Sequence, residues 1–188
     1  MYQRLKKTNA VLGLLTIVLL IAHAGYNVFC YMAMYYNPVL KQVFSLPLII
    51  ALCLHAVLGM SLVFVHSDGT DLTVYSGFNK ETILQRISAA LMFPLLLIHI
   101  KTFEFMGNAA KSGALFVILL LILIEILFFG IVFTHIATSF SRALITLGLL
   151  GDMDKKRRID KAMRVICGLM MVISVIAVVR TQLIMFTG

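Results

Sequence analysis

The chain is a succession of long apolar runs joined by short polar ones. Mostly aliphatic stretches cover roughly residues 9–34, 43–66, 84–106, 112–140 and 163–186. A helix rises about 1.5 Å per residue, so about 20 apolar residues are enough to cross the hydrocarbon core of a bilayer. Each run meets that length, and the links between runs are too short to hide a soluble domain. The pattern predicts an all-α membrane protein: residues 1–188 as one domain, a bundle of five transmembrane helices. Composition points the same way, with 61% hydrophobic residues, 13% charged residues and a mean hydropathy of +1.02. The first run also has features of a secretory signal, with Arg4, Lys6 and Lys7 ahead of it and the small-residue stretch Ala22, His23, Ala24 inside it. It is read here as a retained first span.

Charge fixes the expected orientation. If the N-terminus is cytoplasmic, the inner segments hold Arg4, Lys6, Lys7, Lys80, Arg86, Arg142, Lys155, Lys156, Arg157, Arg158, Lys161 and Arg164, and the outer ones only Lys41, Lys101, Lys111 and Arg180. Basic residues stay on the cytoplasmic side, so the bias predicts N-terminus in and C-terminus out. The net charge of +8 is therefore largely a property of one face, concentrated between Asp152 and Arg158. Anionic lipid headgroups account for such a segment, as does a docking surface for a cytoplasmic partner. Nucleic acid is excluded, because one basic loop at the membrane edge makes neither a groove nor a stacking surface.

Cys30, Cys53 and Cys167 stand on three different runs with no metal or redox spacing, and read as small buried hydrophobes. No glycine-rich phosphate loop, internal repeat or G-x-x-x-G helix-pairing motif occurs in the apolar segments.

The histidines change the picture. His23, His55, His99 and His135 fall one to each of the first four runs, within LLIAHAGYN, LCLHAVLG, LLLIHIK and IVFTHIATS. An ionisable side chain in hydrocarbon needs a partner or a task. One such histidine reads as a structural hydrogen-bonder; four on successive helices suggest a set of axial ligands, since neutral imidazole ligates haem iron and a bundle can supply ligands from facing helices. Two haems with two histidines each would use all four. At 1.5 Å per residue, His23 lies about 24 Å beyond Lys7 and His99 about 20 Å beyond Arg86, so these two can share one outer site. His135 lies about 10 Å from Arg142 and His55 about 20 Å from Asp68, which puts the second pair nearer the cytoplasm if helix two overruns the membrane edge. His66, eleven residues after His55 and on nearly the same face, offers another arrangement with two ligands on one helix. Its neighbours Ser67, Asp68, Gly69 and Thr70 instead read as a wet helix end. A structural zinc suits ligands spread over four helices at two depths badly.

These residues resemble a known family, the five-helix dihaem cytochrome b subunits that anchor succinate:quinone oxidoreductases and quinol:fumarate reductases. The likeness is carried by the four histidines, LCLHAVLG of run two, QRISAALMFPLLLIH of run three and THIATSFSRALITLG at the end of run four. It implies two haem b groups, held by His23 with His99 and by His55 with His135, and a quinone, commonly menaquinone. It also implies a flavoprotein and an iron–sulfur subunit as partners on the cytoplasmic side, and a place in a prokaryotic cytoplasmic membrane; such complexes can themselves pair as dimers.

Around the inner pair, Arg86 and Arg142 are candidate propionate partners and equally ordinary snorkelling anchors. Gln85 and Ser88 could bond propionates or a ligand imidazole. Small residues beside the ligands, Ala24, Gly25, Ala56 and Gly59, would let a flat macrocycle approach the backbone, or simply let helices touch. Glu125 is the carboxylate deep inside a span, about 15 Å further out than His135. It reads as a proton-relay or quinone-site group, or as a protonated structural carboxyl. Glu104 and Tyr26 are further quinone candidates at the outer edge. The expected activity is that of a non-catalytic or quinone-reactive subunit, passing electrons between quinone and its soluble partners. The alternative is a cofactor-free proton-coupled transporter or channel that uses the intramembrane His and Glu side chains.

Overall fold

A computed structural model describes residues 1–65 and 76–187, apart from the side chains of 76–79. Its described residues form five helices: α1 (Tyr2–Ala33), α2 (Pro38–Phe64), α3 (Ser76–Lys111), α4 (Leu115–Thr146) and α5 (Met153–Thr187). All five are long and apolar enough to cross a membrane. His66 and the stretch from Ser67 to Thr70 lie outside the described residues.

The helices outrun the apolar windows because charged residues such as Arg4, Lys6, Lys7 and Glu81 are good helix formers, and hydropathy windows count only what is apolar. Helix ends follow local chemistry. Asn37 caps α2, its side-chain oxygen accepting from the backbone N–H groups of Val39 (3.0 Å) and Leu40 (3.1 Å), and Pro38 opens the first turn. After α4 the chain reverses through Gly148 at φ +77, and Leu149 N–H returns to the Leu144 carbonyl at 2.9 Å. Gly113, at φ +68, serves the same purpose after α3. Pro47 and Pro94 sit inside α2 and α3. Each removes one helical N–H donor, Pro94 from the turn that leads to His99.

Helix α4 is the hub. Its buried residues Ile118, Leu121, Ile122, Glu125, Phe128, Val132 and Ile136 recur every three to four positions and face the other helices. Met106 and Ala109 of α3 pack against its first turns, whereas Phe128, Val132 and Ile136 pack with Cys167 of α5 and with Ile17 and Leu20 of α1. Antiparallel contacts join α1 to α2, α3 to α4 and α4 to α5, and α1 also touches α4 and α5. Among the described residues, α2 has no comparable packing against α3, α4 or α5. Elsewhere the helices expose large aliphatic side chains, such as Val18, Ile21, Leu54, Leu97, Leu123 and Ile176, to their surroundings, as lipid-facing surfaces do.

The two ends of the bundle differ. At one end the starts of α1, α3 and α5 meet the finishes of α2 and α4, and basic residues gather; at the other the starts of α2 and α4 meet the finishes of α1, α3 and α5. At this second end Thr181 donates to the Tyr31 carbonyl at 3.0 Å, and Phe103 stacks on Tyr31 with ring centroids 5.9 Å apart.

Candidate functional site

The four histidines form two tiers. At the basic end, the Nδ1 of His55 lies 3.1 Å from the backbone carbonyl of Asn9 on α1. The Nδ1 of His135 lies 3.1 Å from the Gln85 carbonyl and 3.0 Å from Ser88 Oγ, both on α3. Carbonyls only accept, so Nδ1 carries the proton in both rings, and Nε2 is left with its lone pair. Ser88 donates its own hydrogen to the Gln85 carbonyl at 2.9 Å, which leaves its oxygen free to accept from His135.

The close approach of His55 to α1 depends on Gly13. A Cβ at that position would stand 3.0 Å from His55 Cε1. Gly13 follows Asn9 by one helical turn, so its missing side chain clears the path to the Asn9 carbonyl. Gly59, one turn beyond His55, in turn faces the Asn9 side chain.

In the far tier, His23 Nδ1 lies 3.3 Å from Ser45 Oγ on α2, and Asn27 one turn away donates to its Nε2 at 3.2 Å. His99 Nδ1 lies 2.8 Å from Glu125 Oε2 on α4. Glu125, 2% exposed, is held at its other oxygen by Thr102, whose hydroxyl lies 2.6 Å away and is itself only 1% exposed. Phe128 stacks on the His99 ring with centroids 4.8 Å apart, and Phe129 meets its edge.

His23 stands ten residues before the end of α1 and His99 twelve before the end of α3, at one depth, whereas His55 stands nine before the end of α2 and His135 eleven before the end of α4, at the other. The tiers are fourteen residues apart along α1, from Asn9 to His23, and eleven along α3, from Ser88 to His99, or about 16–21 Å.

This donor set fits haem. Four half-buried imidazoles, two at each of two depths and each with Nδ1 beside an oxygen, have Nε2 available as a ligating nitrogen, in the tautomer that axial ligation requires. At His23, Asn27 would have to release Nε2. Among the described residues no three His, Cys, Asp or Glu side chains converge as a tetrahedral zinc site would need.

Charged side chains lie beside the near tier. Lys156, at 5% exposure, reaches Asp160 at 2.6 Å and Glu81 at 3.2 Å. Arg142 lies 3.7 Å from Glu81, donates to Thr82, and reaches Gln85 Oε1 at 3.4 Å. Gln85 thus touches His135 through its carbonyl and Arg142 through its side chain. Arg86 is partly buried on the same turn of α3.

The remaining candidates scatter. Glu104 is exposed and paired with Lys101 at 2.8 Å. Tyr26 donates to the Asn37 carbonyl at 3.3 Å and stacks on Phe44, which fastens α1 to the start of α2. Asn9, Gly13, Ser45, Asn27, Thr102, Glu81 and Asp160 were not singled out by sequence reasoning, and Lys156 was read only as part of the basic segment facing lipid headgroups or a partner, whereas the structure buries it against Asp160 and Glu81. Asn9 carried a hint, as a strongly polar residue at the border of an apolar run.

No protein-family model matches the chain, and neither does any curated protein or solved structure.

Proposed function

We propose that the chain is a dihaem cytochrome b membrane anchor of the succinate:quinone oxidoreductase and quinol:fumarate reductase type. It would carry electrons between a quinone, commonly menaquinone, and cytoplasmic flavoprotein and iron–sulfur subunits. The observation that carries this reading is the pairing of histidines from different helices at two depths, each with Nδ1 held by an oxygen. His23 with His99 would hold the outer haem and His55 with His135 the inner one, haem supplying one-electron transfer at each.

The chain's own residues have defined tasks in this reading. Asn9, Gln85 and Ser88 hold the near-tier rings in one tautomer and one orientation, and Ser45 and Glu125 do the same in the far tier. Apolar helix faces exclude water from both. The excess of basic residues at the near-tier end supports assigning that end to the cytoplasm, where Lys155, Arg157 and Arg158 at the start of α5 would face the soluble subunits or anionic lipid.

The reduced-minus-oxidised absorption spectrum of the protein purified from haem-replete membranes tests this. The expected result is a b-type α-band with two haems per chain. A purified, folded protein without that band would overturn the proposal. The hydrogen-bonded chain His99, Glu125, Thr102 also suits the alternative reading, a cofactor-free proton-coupled transporter, which predicts no haem and proton flux in liposomes. Recovery of a flavoprotein and an iron–sulfur protein with the chain separates an anchor subunit from other dihaem cytochromes.

A further inference from the structure

We propose that the basic end of α5 carries a binding site for one anionic phospholipid, with Arg158 and Lys161 on the headgroup phosphate and Ala162, Val165 and Ile166 along an acyl chain. The inference rests on the five apolar helices and stands whether or not the chain holds haem.

The basic residues at this end of α5 divide into two sets. Lys156 is buried and neutralised by Asp160 and Glu81. Arg158 and Lys161 are exposed, and among the described residues neither forms an ion pair, not even with Asp154, one turn before Arg158. Helix geometry explains the split. Successive residues are turned by about 100°, so Arg158 and Lys161 stand about 140–160° from Lys156, whereas Asp160 and Cys167 return to within about 40° of it. Cys167 packs on Phe128, Val132 and Ile136 of α4, which marks the inward side. Arg158 and Lys161 therefore point sideways, out of the bundle. The exposed Val165, Leu169, Val172 and Ile176 continue the same face along α5.

A shallow groove of about 430 Å³ lies on this face, lined by Arg158, Lys161, Ala162, Val165 and Ile166. Its two parts match the two parts of a phospholipid. Arg158 and Lys161, three residues apart, are neighbours on the helix surface and can both reach one phosphate, Arg with a fork of donors and Lys as a point charge. Val165 follows Lys161 by one turn, so the apolar part begins about 6 Å further along the axis, and the small Ala162 lets a chain lie close to the backbone. Two cations with no carboxylate paired to them favour a net negative headgroup over a zwitterionic one, whose ammonium group they would repel. A soluble protein is a poorer occupant, because the groove opens sideways and runs on into the exposed aliphatic stripe.

The sequence contains no Trp, which allows a local test. Leu169→Trp puts a single fluorophore on the exposed face about two turns beyond Lys161. The full chain with this substitution is reconstituted into phosphatidylcholine bilayers with increasing phosphatidylglycerol, one lipid or the other brominated in its acyl chains. Quenching then gives the relative affinity of the two lipids at this face, and any quenching by haem is common to both and cancels. Phosphatidylglycerol should be preferred about tenfold or more, and adding Arg158→Gln with Lys161→Gln should bring the ratio to about one. Arg158→Lys with Lys161→Arg, which keeps both charges, should keep the preference. So should Arg4→Gln with Lys7→Gln, which removes the same charge elsewhere at the same end. No preference in the Leu169→Trp chain, or an equal loss in the two charge-removing variants, would overturn the site. Loss of a co-purifying soluble protein in the Arg158→Gln, Lys161→Gln chain, with the lipid preference unchanged, would assign the face to that protein and overturn it as well.

Discussion

The near and far histidine tiers solve one problem with different materials. Near the basic end, His55 and His135 lean on backbone carbonyls, those of Asn9 and Gln85. In the far tier, His23 and His99 lean on side chains, Ser45 and Glu125. A carbonyl already accepting a helical hydrogen bond has a second lone pair to offer, and no substitution of its own side chain removes it. The near tier is therefore written into helix placement, while the far tier is open to adjustment one side chain at a time. The surroundings match this division. Glu81, Arg142, Lys156 and Asp160 tie α3, α4 and α5 together beside the near tier, whereas the far tier adjoins the apolar cluster of Met106, Ile118 and Ile122.

On the proposed dihaem reading, which the predictions below take as their premise, the largest effect should come from the four histidines. Replacing any one of His23, His55, His99 or His135 by Ala should remove one of two haems, measured as haem per protein. Combining His23→Ala with His99→Ala should remove nothing more, whereas His23→Ala with His135→Ala should abolish both. If the first combination also lost both haems, the division into tiers would be wrong as drawn.

Next in size is the brace at the near-tier end. Lys156→Met leaves Asp160 without its closest cation and Glu81, among the described residues, with Arg142. Breaking a buried ion pair from one side costs several kcal/mol, but Glu81 keeps a third of its exposure and Arg142 as partner, so about 2–3 kcal/mol is expected. Thermal unfolding in detergent should show the loss, with the His55/His135 site perturbed before the His23/His99 site. Equal perturbation of the two would mean that the brace serves the whole bundle and not its near tier.

What the sequence made legible follows from what each feature depends on. Five helices long and apolar enough to span a membrane, and a histidine within each of the first four, depend on composition and on position along single helices, and both could be read directly. The depth estimate paired His23 with His99 because helix rise is nearly constant, and the two lie at similar distances from the ends of α1 and α3. Gln85 and Ser88 were marked by their one-turn spacing, and both meet the ring of His135. The partners of the other three rings depend on which helix faces which, and no local pattern states that. Ser45 and Thr102 are ordinary polar residues in apolar runs, and the Asn9 contact is made by backbone, to which sequence patterns are blind. Glu81 and Asp160 were missed, and Lys156 was read as a residue of a basic link, for another reason: all three lie where helices continue past the apolar windows, in segments that hydropathy assigns to links.

A smaller effect is expected at Gly13. Its substitution by Ala puts a methyl group 3.0 Å from His55 Cε1 and 3.4 Å from Nδ1, so the ring must shift. Overpacking costs about 1–3 kcal/mol, partly offset by the better helix propensity of Ala, under about 1 kcal/mol. The protein should still fold, with a net loss of up to about 2 kcal/mol, while the inner haem shows a displaced absorption band or lower occupancy and the outer haem does not. An unaltered inner haem would show that His55 has another route to its acceptor.

The smallest effect should be that of Ser88→Ala, and it bears most directly on the contrast between the tiers. Ser88 sits 3.0 Å from His135 Nδ1, closer than Ser45 comes to the His23 ring at 3.3 Å, yet the Gln85 carbonyl stands 3.1 Å from the same nitrogen. Removing the hydroxyl leaves the Nδ1 hydrogen with an acceptor of the same neutral kind, and also frees the carbonyl from the bond Ser88 makes to it. The net cost to stability is about 0.5–1 kcal/mol. Tautomer, ring orientation and donor strength at Nε2 all persist, so the inner haem should keep its potential in a redox titration. A shift of the inner haem in Ser88→Ala would mean that hydroxyls matter as much as carbonyls, and that backbone acceptors give the near tier no special constancy.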